Sequence, residues 1–195
     1  MNDLSETFDT DMAPQPFILK HDGLYAEVGR GKHRHLSRLC GWLRVTALAR
    51  NYADSAWSLV LEFRNIDGEM RTLVVPRDAL LSSGKGVVAT LVSAGLDLID
   101  RRDAPQCLLD CLMAWTPDAR MRLAELPGWQ PDGQSFVLPD GRVLGEQPVI
   151  LQGLHQPRSD AGTLEGWRDH VARLCIGNPM LLVAVSASLA GCILR

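Results

Sequence analysis

WSLVLEF at residues 57–63 and MRTLVV at residues 70–75 flank the turn Asn65-Ile66-Asp67-Gly68. Both flanks are rich in β-branched and large apolar residues, and Gly68 offers the positive φ that a tight reversal needs, so the segment reads as a β-hairpin. Moving towards the N-terminus, residues 36–49 hold CGWLRVTALA, another β-forming run. FILK at 17–20 and LYAEV at 24–28 flank Asp22-Gly23, a second hairpin signal. The first half of the chain is therefore expected to be mostly antiparallel sheet.

Towards the C-terminus the period changes. Residues 87–94 read as a short helix closed by Gly95, with Val87, Val88, Leu91 and Val92 along one side. Residues 105–115 read as another, with Leu108, Cys111, Leu112 and Trp115 as its buried stripe. In residues 120–126, Met121 and Leu123 alternate with Arg120 and Arg122. Gly128-Trp129, SFVLP and RVLG, separated by Asp132-Gly133 and Asp140-Gly141, then suggest a small three-stranded meander. Val149, Ile150 and Leu151 suggest an edge strand.

Thr163 suits an N-cap, and Leu164, Trp167, Val171, Leu174 and Cys175 recur at helical spacing until Gly177. Asn178-Pro179 begins a further helix over residues 180–194, with proline at the first position, where its missing N–H costs nothing. That helix is apolar almost all round and is expected to be a buried core helix. It is shorter than the ~20 residues that span a bilayer, so no membrane association is expected.

A chain of 195 residues can bury a substantial core in one or two domains. The expected fold class is α+β: a mainly antiparallel N-terminal sheet with short helices, then a small β-meander and two C-terminal helices. The expected division is a disordered acidic tail over 1–16, an α+β domain over 17–101, and a helical and meander region over 102–195. No apolar N-terminal stretch marks a signal peptide. The five cysteines, Cys40, Cys107, Cys111, Cys175 and Cys192, show no C-x-x-C pair. Reduced thiols and a cytoplasmic location follow as expectations.

The formal net charge of −3 conceals a segregation. Residues 1–16 carry four acids and no base, whereas residues 17–50 carry seven Lys or Arg against two acids. A basic segment inside a mildly acidic protein points to a polyanionic partner. The candidate nucleic-acid contacts are Arg30, Lys32, His33, Arg34, His35 and Arg38 on a glycine-containing loop, extended by Arg44 and Arg50. Trp42, Tyr52 and Trp57 could stack on bases, although such aromatics more often belong to a core. The same charges read, without any partner, as a solvated loop tip.

Other motifs do not reach a chemistry. Ser82-Ser83-Gly84-Lys85-Gly86 imitates a phosphate loop, but Ala79 stands where the first glycine belongs and Gly86 where the Mg²⁺-binding hydroxyl belongs. It reads as a plain loop before the helix at 87. Gly29-Arg30-Gly31-Lys32 fails likewise. Cys107 and Cys111 share a helical face but lack further ligands at metal spacing, and the cations around His33 and His35 would repel a metal. Glu165 suits the first turn of its helix and Asp169 can pair with Arg173. No cofactor, metal or catalytic group is assigned.

GTLEGWRDHVARLCIGNPMLLVAVSASLAG at 162–191 and GWQPDGQSFVLPDGRVLG at 128–145 together resemble the family catalogued as domain of unknown function 927. Its members resemble helicase-like P-loop ATPases of bacterial mobile elements and phages, including replicative helicases related to the minichromosome-maintenance type. The resemblance covers roughly residues 17–195. It implies that the helix at 180–194 leads towards an ATPase core whose phosphate loop this sequence does not contain. The expected function is a non-catalytic N-terminal region, not an enzyme by itself, of a truncated helicase-like ATPase. It would contribute DNA binding, oligomerisation or docking to a C-terminal ATPase region. The alternative is a protein interaction module that binds no nucleic acid.

Overall fold

The computed structural model describes residues 13–29, 31, 34–153 and 162–190. The fold is α+β. The chain divides into two compact units, Met1–Leu123 and Ala124–Arg195.

In the first unit, β1 (Phe17–Lys20), β2 (Gly23–Val28) and β3 (His35–Cys40) form an antiparallel three-stranded sheet. Lys20 pairs with Gly23, so the reversal falls on His21 and Asp22, one residue ahead of the expected Asp22-Gly23. Gly23 serves a different purpose: a Cβ there would lie 2.3 Å from the carbonyl oxygen of Cys40. Any side chain at this position would push β3 away from β2.

The β-rich run at 36–49 is not one strand. It breaks at Gly41-Trp42 and passes from β3 into β4 (Leu43–Arg50), which belongs to a second sheet. The break is held from outside, because the Gly41 amide donates to Asp97 O at 2.7 Å and the Arg64 amide donates to Trp42 O at 2.9 Å. β4 pairs antiparallel with β5 (Trp57–Arg64), and β5 with β6 (Met70–Pro76). The β5–β6 reversal is the hairpin expected from the sequence, with Gly68 at φ 84°. On its other side β4 pairs parallel with β7 (Arg120–Ala124), a pairing that requires the long intervening connection.

That connection contains three helices. α1 (Arg77–Ser82) directly precedes α2 (Gly84–Ser93), so the stretch 82–86 is a helix junction and not the expected loop. Its glycines have packing reasons: a Cβ on Gly84 would come within 2.6 Å of a Leu109 methyl, and one on Gly86 within 2.6 Å of Ser83 Oγ. α2 buries Val87, Val88 and Leu91, while Val92 faces outward. α3 (Ala104–Ala114) buries Leu108, Leu109, Cys111 and Leu112.

One core joins these parts. Leu24, Leu39, Leu43, Leu59, Leu61, Phe63, Leu91 and Leu108 are fully buried in a single apolar cluster. Each such side chain stabilises the fold by roughly 1.5–3 kcal/mol relative to exposure. Between α2 and α3 the chain acts as a strap. Leu98 bridges to Cys40, Leu96 bridges to Asn65, and the Ile99 amide donates to Leu39 O at 3.1 Å.

In the second unit, β8 (Gly128–Trp129), β9 (Phe136–Val137) and β10 (Val143–Leu144) form the expected meander. Gly133 and Gly141 adopt positive φ at its turns. Trp129 meets Phe136 edge to face at 5.3 Å. Ala124 and Val137 pack with Val149 and Leu151 of β11 (Val149–Leu151) as a small core.

The C-terminal helices differ from expectation. α4 (Leu164–His170) starts at Thr163, whose hydroxyl oxygen accepts from the Gly166 amide at 3.0 Å. It gives way at Val171 to a 3-10 turn over Ala172–Cys175 instead of running on to Gly177. α5 (Pro179–Ala190) begins at Asn178, whose side-chain oxygen accepts from the Leu181 amide at 3.3 Å. It is not the buried helix its composition predicts. None of its residues is buried, and Met180, Leu182 and Val183 are 79%, 57% and 64% exposed.

Candidate nucleic-acid interface

The expected basic residues separate into groups. Arg30, Lys32 and His33 lie outside the described residues. Along β3, Leu36 and Arg38 take one face and His35 and Ser37 the other, while Arg34, the residue before the strand, reaches the first face through Glu27. The cross-strand neighbours on the Arg34 face are Tyr25, opposite Arg38, and Glu27, opposite Leu36. Lys20 lies over the Tyr25 ring at 4.5 Å.

Acidic groups balance this face. Arg34 Nη1 meets Glu27 Oε2 at 3.5 Å, and Arg38 Nη1 meets Asp97 Oδ2 at 3.0 Å. Arg38 Nη2 also donates to Asp22 O at 3.3 Å, while its Nε is buried without a hydrogen-bond partner. The Tyr25 hydroxyl donates to Asp22 at 2.6 Å. That hydrogen bond holds the Asp22 carboxyl below its ordinary pKa and raises the tyrosine's. Asp22, Arg38, Trp42, Arg64 and Asp97 border an open cleft of about 280 Å³.

Arg44 and Arg50 do not extend this surface together. They stand opposite Glu62 and Trp57, which lie five positions apart along β5, so with the register shift between Val45 and Ala47 the two arginines project from opposite faces of the sheet. Arg44 donates through Nε and Nη2 to Glu62 Oε2, at 3.1 and 2.8 Å, and its guanidinium lies 5.3 Å from the centre of the Trp42 ring. Arg50 lies 5.6 Å from the Trp57 ring and pairs through Nε with Asp54 at 3.2 Å.

Arg122, which the charge reading passed over, completes the second group. It stands opposite Arg50 in the parallel β4–β7 pairing, lies 5.6 Å from the Tyr52 ring and donates to the same Asp54 oxygen. Thus Trp42, Tyr52 and Trp57 each carry an arginine on one ring face. The signal in the sequence was the alternation of Arg120 and Arg122 against Met121 and Leu123. Without knowledge that β7 lies beside β4, nothing tied that alternation to Arg50.

Among the described residues, Cys40, Cys107 and Cys111 show no sign of nucleophilic activation. Burial pushes Cys40 up to about 12 and raises Cys111 as well, so both remain protonated at neutral pH. Cys107 is raised by burial and sits beside Asp103 and Arg101. Among the described residues no group of three or more His, Cys, Asp or Glu is placed to hold a metal ion, and no helix is long and apolar enough to cross a membrane.

These features define an α+β module with ring-backed arginines on its first unit and an uncovered apolar helix in its second. The chain belongs to the DUF927 family, a domain of unknown function, whose model matches residues 17–195. No curated protein matches it. Among solved structures it is similar to one described as an active helicase, SCCmec type IV Cch, with a TM-score of 0.53 and 15% identity. The match covers 83% of this chain and 29% of the helicase, so the chain spans less than a third of that protein's length.

Proposed function

We propose that this chain is the non-catalytic N-terminal region of a helicase-like ATPase of a mobile element, contributing DNA contact and an apolar docking helix to the larger machine. The observation that carries this reading is α5. A helix of the sequence PMLLVAVSASLA with no buried residue presents apolar surface in every direction, and such surface is stable in water only when something covers it. The shared fold with part of a helicase supports a covering surface in a neighbouring ATPase region.

The DNA component is supported by Arg38 on β3 and Arg34 just before it, next to Arg30, Lys32 and His33 in sequence. Their ion pairs with Glu27 and Asp97 are partly exposed and worth little in water, so phosphates can compete for the guanidinium groups. The imitation phosphate loop at 82–86 lies within two packed helices, which supports a region that does not itself bind ATP phosphates.

Two measurements test the reading on the 195-residue protein. Labelled DNA is expected to bind with salt-sensitive affinity, weakened by Arg34→Glu with Arg38→Glu, and ATP hydrolysis is expected to stay at background. Hydrolysis well above background would overturn the non-catalytic assignment. The uncovered α5 also favours a second reading, an interaction module without nucleic-acid binding. Absence of DNA binding at low salt, with self-association lost in Leu182→Asp, would select that reading instead.

A further inference from the structure

Arg50 and Arg122 are register partners on adjacent strands, which places two like charges side by side. Such a pair is unfavourable unless something lies between them. Here the intervening group is one oxygen of Asp54, which receives the Arg50 Nε at 3.2 Å and a hydrogen bond from Arg122 Nη1.

The aspartate is held there by its turn. Asn51 closes the β4–β5 connection, its side-chain oxygen accepting from the Ser55 and Ala56 amides at 3.0 and 3.3 Å. Within that turn Asp54 has φ 57°, the left-handed region, which no other described non-glycine residue adopts. Asp and Asn tolerate this conformation better than other side chains.

The guanidinium groups are kept in place independently of the carboxylate. Trp57 backs Arg50, Tyr52 backs Arg122, and Arg122 Nη1 also donates to Asn51 O at 3.3 Å. Asp54 is about half exposed and Arg50 more than a third. Two positive charges therefore meet one negative charge at an open surface. A phosphodiester carries the same single charge as a carboxylate and offers two free oxygens, one for each guanidinium. Arg120, two residues along β7, is turned away to the Pro117, Asp118 and Ala119 carbonyls.

We propose that Arg50 and Arg122 form a DNA backbone phosphate site in which Asp54 is a built-in stand-in that the phosphate displaces. The site is separate from the Arg34 face but rests on the DNA-contact reading given above. Removing the stand-in strengthens binding, whereas removing an ordinary stabilising ion pair leaves it unchanged.

The test is anisotropy of a fluorescein-labelled oligothymidylate across a salt series, with the unmodified protein, Asp54→Asn, Arg122→Gln, and the double variant Arg34→Glu with Arg38→Glu. Asn keeps the left-handed turn while losing the charge. Asp54→Asn is expected to tighten binding about two- to fivefold, the factor equivalent to an exposed ion pair. Arg122→Gln is expected to weaken it and to lower the logarithmic salt slope by about 0.7, one lost single-strand phosphate contact. Melting followed by near-ultraviolet circular dichroism confirms that each variant is folded; if Asp54→Asn is not, Arg122→Gln decides alone through its slope. Binding that is lost in the Arg34 and Arg38 variant but unchanged in the other two overturns this site and leaves the DNA-contact reading intact. No binding by the unmodified protein overturns both.

Discussion

The core of the first unit and helix α5 use nearly the same residues to opposite ends. Leu, Val and Ala fill both, yet Phe63, Leu61 and Leu43 are fully buried, whereas α5 buries nothing. The difference lies in pattern. Along β5, Leu59, Leu61 and Phe63 recur at every second residue on one face, and the cross-strand register brings Leu48, Val45 and Leu43 of β4 against them. α5 has no polar face to distinguish inside from outside. Apolar content specifies that a surface must be covered, and period specifies by which neighbour.

This contrast is easiest to break with truncations in the two places. Phe63→Ala is expected to cost about 3–5 kcal/mol, enough to unfold much of the protein, because a fully buried ring leaves a cavity. Leu182→Ala is expected to change stability by less than about 0.5 kcal/mol, as exposed substitutions do. Urea denaturation measures both, and a Leu182→Ala cost above about 2 kcal/mol would show that α5 is packed in solution after all.

A finer probe concerns how α4 begins. Thr163→Ala removes the oxygen that accepts from the Gly166 amide and is expected to cost about 1 kcal/mol, seen as lost helical signal on mild heating. Because α4 and α5 bury so little, the loss should appear locally, ahead of the main unfolding transition. A single transition shifted as a whole would mean that these helices are coupled to a core.

The smallest effect is the pH response. Asp22, Asp54 and Asp103 in the first unit are held below the ordinary carboxylate pKa, chiefly by hydrogen bonds from Tyr25, Arg122 and Arg101 respectively. A lowered folded pKa means that the unfolded chain takes up protons first. The stabilisation is therefore complete above the unfolded value of about 3.9 and is lost as pH falls below it. Stability measured from neutral pH down to about 4 is expected to be nearly flat for these groups and to decline beneath that, with each exposed carboxylate contributing only slightly. The Asp54→Asn variant should show a shallower acid decline than the unmodified protein.

The sequence revealed the hairpins because alternation and turn residues are local. It likewise revealed the caps at Thr163 and Asn178, where a side chain satisfies backbone amides three residues away. It missed the break at Gly41-Trp42, since the partners that hold it, Asp97 and Arg64, are distant in sequence. The short helix α1 was missed because six residues beginning at Arg77 offer too little period. The candidate interface was legible as charge only. Arg34 and Arg38 are close in sequence and flank the start of β3, but the separation of Arg44 from Arg50 and the pairing of Arg50 with Arg122 depend on strand register. The partner acids Asp54 and Asp97 carry no local mark of their role.

The strap between α2 and α3 has a practical consequence. Its bridges from Leu96 to Asn65 and from Leu98 to Cys40 touch one strand of the first sheet and the far turn of the second. It works as a stitched seam, so the two sheets should melt in concert and the amides of Gly41, Ile66 and Ile99 should exchange with deuterium among the last to do so. Anyone inserting a tag or splitting this protein for reassembly should leave the seam uncut, and with it the turn from Asn65 to Glu69, whose Asp67, Gly68 and Glu69 amides are all held by Asn65.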